Sequence, residues 1–428
     1  MMTEHLIFCG LLFIFLFSLV SRRATSSWLT APIIFVAFGM LVGEGGLGWM
    51  NLDAQEPLLD PLAELTLILV LFGDASRIDL KALRKEAGLP ARMLAFGMPL
   101  TILFGAAAAS LMFPSLGMWE AAALAAILTP TDAALGQAVV SSEAVPLRIR
   151  QALNVESGLN DGIALPVVLV FTALAAAAGG AMSETSLEHW GSFWLMQVTI
   201  GPLAGAGFGY LGGQLIVACR NRGWISHSFE RIGGLALALM AFFGAELLGG
   251  NGFMSAFVAG LVLGNTARDF SECVFDFLEA EGQLLMLLVF VMFGALLVAP
   301  TLERLTPMMV VYAALSLTVL RMVPVALSLI GSGAKRWSVV FLGWFGPRGL
   351  ASILFGLIVL EEMAIVHRTQ IFDVVILTVL LSVFAHGLTA TWGARRYGRW
   401  VADQQDIMEH EMVYDHPTRH RMPDEDAA

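Results

Sequence analysis

Ile127-Leu128-Thr129-Pro130-Thr131-Asp132-Ala133-Ala134-Leu135-Gly136 lies inside an apolar stretch that runs over residues 118–141. A stretch of that length and apolarity crosses a bilayer as a helix. Pro130 removes a backbone donor and its ring clashes with the preceding turn, so the helix breaks at mid-depth and frees carbonyls from their helical partners. Asp132 then sets an acidic side chain beside the break. Gly343-Trp344-Phe345-Gly346-Pro347-Arg348-Gly349, inside apolar residues 338–360, repeats the arrangement with a basic side chain. Facing breaks bring half-helix ends of both signs together, where Asp132 suits two N-terminal ends and Arg348 two C-terminal ends. Plain kinks are common in membrane helices, but they do not usually carry a mid-bilayer charge costing about 2.5 kcal/mol or more.

The whole chain has this apolar character. Of 428 residues, 57% are hydrophobic and 14% charged, and the mean hydropathy is +0.76. Soluble domains carry about a quarter charged residues, so a soluble enzyme and a disordered scaffold are excluded. A net charge of −11 without a concentrated basic segment excludes a nucleic-acid partner. Cys9, Cys219 and Cys273 are too scattered for a disulfide framework or a metal site of recognised spacing. Residues 1–5 lack a basic region, so residues 6–20 read as a retained first span and not as a signal peptide.

Thirteen stretches have spanning character: 6–20, 28–43, 58–73, 88–113, 118–141, 150–178, 193–217, 231–249, 252–265, 283–299, 307–330, 338–360 and 371–393. With the N-terminus outside and the C-terminus in the cytoplasm, an arrangement that requires an odd span count, 20 of the 24 Lys and Arg residues fall on the cytoplasmic side. The breaks fall fifth among the first six spans and fifth among the last six, with span seven as a linker. This pattern predicts an all-α polytopic membrane protein of about thirteen transmembrane helices, an inverted repeat with two broken, crossing helices and a site at the midplane. Residues 1–399 form the membrane domain, and residues 400–428 a short polar cytoplasmic tail expected to be disordered. No appended soluble domain is expected.

Span six begins Asn154-Val155-Glu156-Ser157-Gly158-Leu159-Asn160-Asp161-Gly162. Ser157 and Asp161 are four apart, as are Glu156 and Asn160, so they make neighbouring pairs on adjoining helix faces. So polar a cluster, followed at once by apolar residues, faces a cavity or other helices and not lipid.

Asn160-Asp161 preceded by Glu156-Ser157, Thr131-Asp132 upstream, and Gly-Pro-Arg-Gly at 346–349, each in its own span and in this order, resemble the NhaP-type sodium/proton antiporters of the monovalent cation:proton antiporter family. The resemblance covers essentially the whole membrane domain. Ala133 stands where the family commonly has proline and Ala75 where it commonly has glycine; neither change removes a ligand side chain. The resemblance implies exchange of protons for Na+ or Li+, with both bound alternately at Asp161. Ser157, the Thr131 carbonyl and Asp132 would complete the shell around Na+, with Asp74 at the end of span three contributing, and Glu156 would pair structurally with Arg348. Oxygen ligands suit a hard cation. Asn160, in place of a second aspartate, implies electroneutral one-for-one exchange. The resemblance further implies a homodimer, a scaffold of spans 1–3 and 8–10, a mobile core of spans 4–6 and 11–13, and placement in the plasma (inner) membrane. The transported ions are substrates, and no cofactor is expected.

Other readings are a K+/H+ antiporter of the same mechanism and, further off, a channel or sensor on the same fold. An enzyme is not expected: no His-Glu-x-x-His run occurs, Tyr414 standing where His410-Glu411 would need a second histidine, and no Gly-x-Ser-x-Gly elbow is present. Glu64, Glu246 and Arg321 lie within spans and suggest snorkelling or local pairs. His386 is expected to be a satisfied helix histidine.

Overall fold

The computed structural model describes residues 2–25, 29–49, 59–81, 88–132, 135–181, 186–404 and 408–410, and among these all regular structure is helical. Helices are the expected answer in lipid, because a helix satisfies its backbone groups internally. In chain order they are α1 (Met2–Thr25), α2 (Ala31–Val42), α3 (Leu59–Arg77), α4 (Gly88–Met112), α5 (Met118–Ile127), α6 (Gln137–Val140) and α7 (Leu147–Ala176). They continue with α8 (Ser186–Asn221), α9 (His227–Leu247), α10 (Gly252–Thr266), α11 (Arg268–Met292, extended through a π turn to Glu303) and α12 (Pro307–Ser328). The last three are α13 (Arg336–Trp344), α14 (Leu350–Glu361) and α15 (Arg368–Ala402). Among the described residues six helices are long and apolar enough to cross a membrane, in α4, α7, α8, α11, α12 and α15, and shorter apolar helices accompany them.

Local signals fix several starts. Asn251 accepts from Met254 N at 2.9 Å and Thr306 from Met309 N at 3.3 Å, satisfying donors in the first turns of α10 and α12. Glu120 in the first turn of α5 accepts from Gly117 N at 2.8 Å. The boundary expected at Gly249-Gly250-Asn251-Gly252 is therefore where α9 gives way to α10. Two expectations differ from the structure. Span eleven, read as one stretch, is interrupted at Thr318, which separates Pro307–Leu317 from Val319–Ser328. The tail, expected to be disordered from residue 400, is ordered in part: α15 runs to Ala402, Met408–His410 form a turn, and Glu409, 1% exposed, accepts from Lys335 N at 2.9 Å and from the Ser338 hydroxyl at the start of α13. Residues 405–407 and 411–428 of that tail, like Ala133, lie outside the described residues.

Packing relies on small residues, as it does where lipid removes the hydrophobic drive between helices. Gly201, Gly205 and Gly209 of α8 lie one turn apart, and a Cβ on each would strike the Asn251, Ser255 and Ala259 backbone of α10. On its other side, Gly260 and Gly264 of α10 meet the Phe72 and Ser76 backbone of α3. α3 and α2 both pack on α11. Elsewhere α5 lies between α4 and α7, and α15 packs against α12 and α14.

Candidate functional site

α5 ends at Ile127 and α6 begins at Gln137, while α13 ends at Trp344 and α14 begins at Leu350. Both helices break where Pro130 and Pro347 stand, and the breaks touch: Asp132 N donates to Pro347 O at 2.8 Å. Arg348, 1% exposed, donates from Nη1 to Thr129 O at 2.9 Å, Pro130 O at 3.3 Å and Gly346 O at 3.4 Å. Its positive charge thus sits on the C-terminal ends of both half-helices, where carbonyls have lost their partners. Asp132 does the converse, its Oδ2 accepting from Leu350 N at 3.0 Å at the N-terminal end of α14. The glycines of the 346–349 motif follow from this closeness. A Cβ on Gly349 would coincide with the Asp132 carboxylate, and one on Gly346 with the Arg321 guanidinium.

Beside the breaks lies α7, with its polar turn facing them. Ser157 Oγ donates to Thr131 O at 2.5 Å, and Asn160 Nδ2 donates to Thr131 Oγ1 at 2.6 Å, all three residues being buried. Asp161, Ser157, Asp132 and Asp74 then line one cavity of about 10 Å³, closed by Leu67 and Val70 of α3, Met286 of α11, and Leu350 and Ala351 of α14. That is room for about one water-sized particle. The cavity lies between α3 and α11 on one side and α7 and α14 on the other. Of the residues expected at the site, four line the cavity. Thr131 stands next to it through its bond to Ser157, and Asn160 holds Thr131 in place without being among the lining residues.

The expected Glu156–Arg348 pair is not formed. Glu156 is paired with Arg321 of α12, whose Nη2 lies 3.0 Å from both carboxylate oxygens, and both side chains are buried. Arg348 is turned instead to the carbonyls that the breaks release. Arg321 is the site residue that sequence reasoning passed over. The signal was the one used for Arg348, an arginine at mid-span, but the spacing of residues on separate helices does not say which arginine reaches Glu156. Of the other span residues, Glu246 accepts from Gly252 N at 2.7 Å. His386 has polar partners at both ring nitrogens, Nε2 lying 2.9 Å from the Trp344 carbonyl and Nδ1 3.2 Å from the Ser382 hydroxyl and 3.0 Å from its carbonyl, as a satisfied helix histidine should.

The family model for the transmembrane sodium/hydrogen exchanger matches residues 10–396, nearly all of the chain described above. The chain belongs to the sodium/hydrogen exchanger family. This exchanger-family protein is 28% identical over 399 residues to the K(+)/H(+) antiporter NhaP of Alkalimonas amylolytica, covering 91% of this chain and 65% of that one. It is 27% identical over 377 residues to the K(+)/H(+) antiporter NhaP2 of Shewanella sp. strain MR-4, covering 86% of this chain and 63% of that one. The chain therefore spans a little under two thirds of the length of these curated relatives. Its fold matches the sodium proton antiporter MjNhaP1 of Methanocaldococcus jannaschii at pH 8, with a TM-score of 0.74 and 20% identity over 94% of this chain and 100% of that one. The NhaP-type resemblance and the antiporter fold are both borne out.

Proposed function

We propose that this protein exchanges protons for a monovalent cation, Na+ or Li+, across the membrane, with Asp161 holding the proton and the cation alternately. The observation that carries this reading is the one-particle cavity lined by Asp161, Ser157, Asp132 and Asp74. The Asp161 carboxylate offers its oxygens to a proton or to a cation in turn, and either one neutralises its charge. The Ser157 hydroxyl, the Thr131 carbonyl freed by the Pro130 break, and carboxylate oxygen form an oxygen shell suited to a hard monovalent ion. If the empty, charged site crosses the bilayer interior only at high cost, loaded forms alone reorient and leak is suppressed.

Asn160 is spent as a hydrogen-bond donor to Thr131 and, unlike an aspartate beside Asp161, brings no charge of its own, which supports electroneutral one-for-one exchange. The cavity lies between two groups of helices, which supports displacement of a core of spans 4–6 and 11–13 against a scaffold of spans 1–3 and 8–10, with span 7 between. The crossing inverted repeat, a homodimer built through the scaffold, and an N-out, C-in orientation in the plasma (inner) membrane complete the reading. A second reading, K+ as the cation with the mechanism unchanged, is favoured by the names of both curated relatives.

The test is cation-driven proton movement in sealed proteoliposomes at pH 6 to 9, with Na+, Li+ and K+ compared beside Asp161→Asn. Saturable exchange, lost in the variant and unaffected by clamping the membrane potential, is expected. Exchange with K+ alone would transfer the cation to the second reading. Exchange that survives in Asp161→Asn, or that generates a potential, would overturn the site or the stoichiometry respectively.

A further inference from the structure

A groove of about 660 Å³, sharing no lining residue with the cavity, runs between α13 and α15. Its walls carry exposed aromatic rings: Trp337 is 55% exposed and Trp392 62%. Gly393 lets the Phe345 ring lie directly against α15 in the groove wall, because a Cβ there would strike that ring. One end is basic. Arg396 and Arg399 line it, with the Arg396 guanidinium 5.5 Å from the centre of the Trp392 ring.

We propose that this groove binds an anionic phospholipid, its phosphate between Arg396 and Arg399 and an acyl chain lying along Trp337, Trp344 and Trp392.

The groove is amphipathic in the lipid's own sense, apolar along its length and cationic at one end. The arginines stand in the last turns of a helix whose preceding residues are apolar, which puts them at the membrane–water boundary where phospholipid phosphates lie. Arg395 on the same turn and Lys335 and Arg336 at the start of α13, all exposed, add positive charge around that end. Asp403 is the acid among the lining residues, and it is exposed at the end of α15. The balance favours an anion. Basic pockets between transmembrane helices select anionic head groups in this way. An arginine also presents a planar fork that matches phosphate.

Occupancy would be felt at the break. Trp344 is the last residue of α13; its indole donates to Thr389 Oγ1 at 3.0 Å, and its carbonyl is bonded to His386. A chain packed on Trp344 would steady the end of the half-helix that leads into Pro347 and Arg348. The binding itself depends only on membrane embedding and not on the transported ion.

The experiment is native mass spectrometry of the full chain in detergent, titrated with phosphatidylglycerol and phosphatidylcholine of the same acyl chains. Wild type should retain phosphatidylglycerol about tenfold or more over phosphatidylcholine, and Arg396→Gln/Arg399→Gln should lose that preference. Both substitutions are at exposed positions and leave the fold intact, which an unchanged melting temperature without lipid would verify. Arg396→Lys/Arg399→Lys, which keeps the charge, should restore most of the preference. Trp337→Ala/Trp392→Ala should weaken retention of both lipids. Equal retention of the two lipids by wild type would overturn the proposal, as would a preference that persists in the double glutamine variant.

Discussion

Ser157 and Asp161 were legible as a pair because polar side chains at helical spacing in an apolar run cannot face lipid; their grouping with Asp132 and Asp74 came from the family resemblance, and the structure sets all four around one cavity. What was not legible was the partner of Glu156. Spans eleven and twelve each offer a mid-depth arginine, and only the tertiary packing puts Arg321 on Glu156 and leaves Arg348 to the freed carbonyls. The consequence is measurable. Removing one member of a buried pair strands the other charge, so Glu156→Gln and Arg321→Gln should each cost about 3–5 kcal/mol. Thermal unfolding in lipid-supplemented detergent reads this. The double change Glu156→Gln/Arg321→Met should recover part of the loss, and Glu156→Gln/Arg348→Met should not. The reverse order of recovery would return Arg348 to the pair.

Among the elements, the two breaks were read from proline beside charge, and both appear at the expected residues. That the breaks face each other was expected from the paired pattern, but the particular bond between them, Asp132 N to Pro347 O, was not visible, since nothing in either stretch encodes the register in which they meet. The interruption at Thr318 was missed because no proline or glycine marks it. The docked turn at Met408–His410 was missed because a buried glutamate in a polar tail has no periodic signature. The breaks also explain the glycines. A methyl at Gly349 would occupy the space of the Asp132 carboxylate, whereas at Gly10 of α1 it would meet nothing within 4 Å. Gly349→Ala should therefore reduce exchange about tenfold or more and lower the melting temperature, because closely packed sites cannot absorb a 1 Å displacement. Gly10→Ala should be neutral or stabilise by about 0.5–1 kcal/mol, as expected for a helix interior. Proteoliposome rates and melting curves for the pair check both. Full exchange in Gly349→Ala would mean that the close approach of Asp132 to the α14 end is not needed.

At the scale of the whole molecule, composition and span pattern were enough to indicate a membrane transporter, but relations between distant helices were beyond the sequence. One such relation bears on transport. Arg304, just past the end of α11, grips Asp373 of α15 through Nε at 2.8 Å and Nη2 at 2.7 Å, and Thr301 donates to the same carboxylate at 3.2 Å. The division proposed above assigns α11 to the scaffold and α15 to the core, so this contact must part in each cycle. A Thr301→Cys/Asp373→Cys pair, bridged by oxidation or by a short thiol-reactive linker, should stop exchange, and reductant should restore it. Undiminished exchange by the bridged protein would place α11 and α15 in one moving body.

The most direct test of the central claim, that one carboxylate serves proton and cation in turn, is proton release on cation binding to the purified protein. Titrating Na+, Li+ or K+ into weakly buffered protein, with the released acid followed by a pH indicator, should give roughly one proton per cation bound, since binding of the two is linked at a single group. Asp161→Asn should release none. Cation binding without proton release in the wild type, or undiminished release in Asp161→Asn, would contradict a shared site at Asp161.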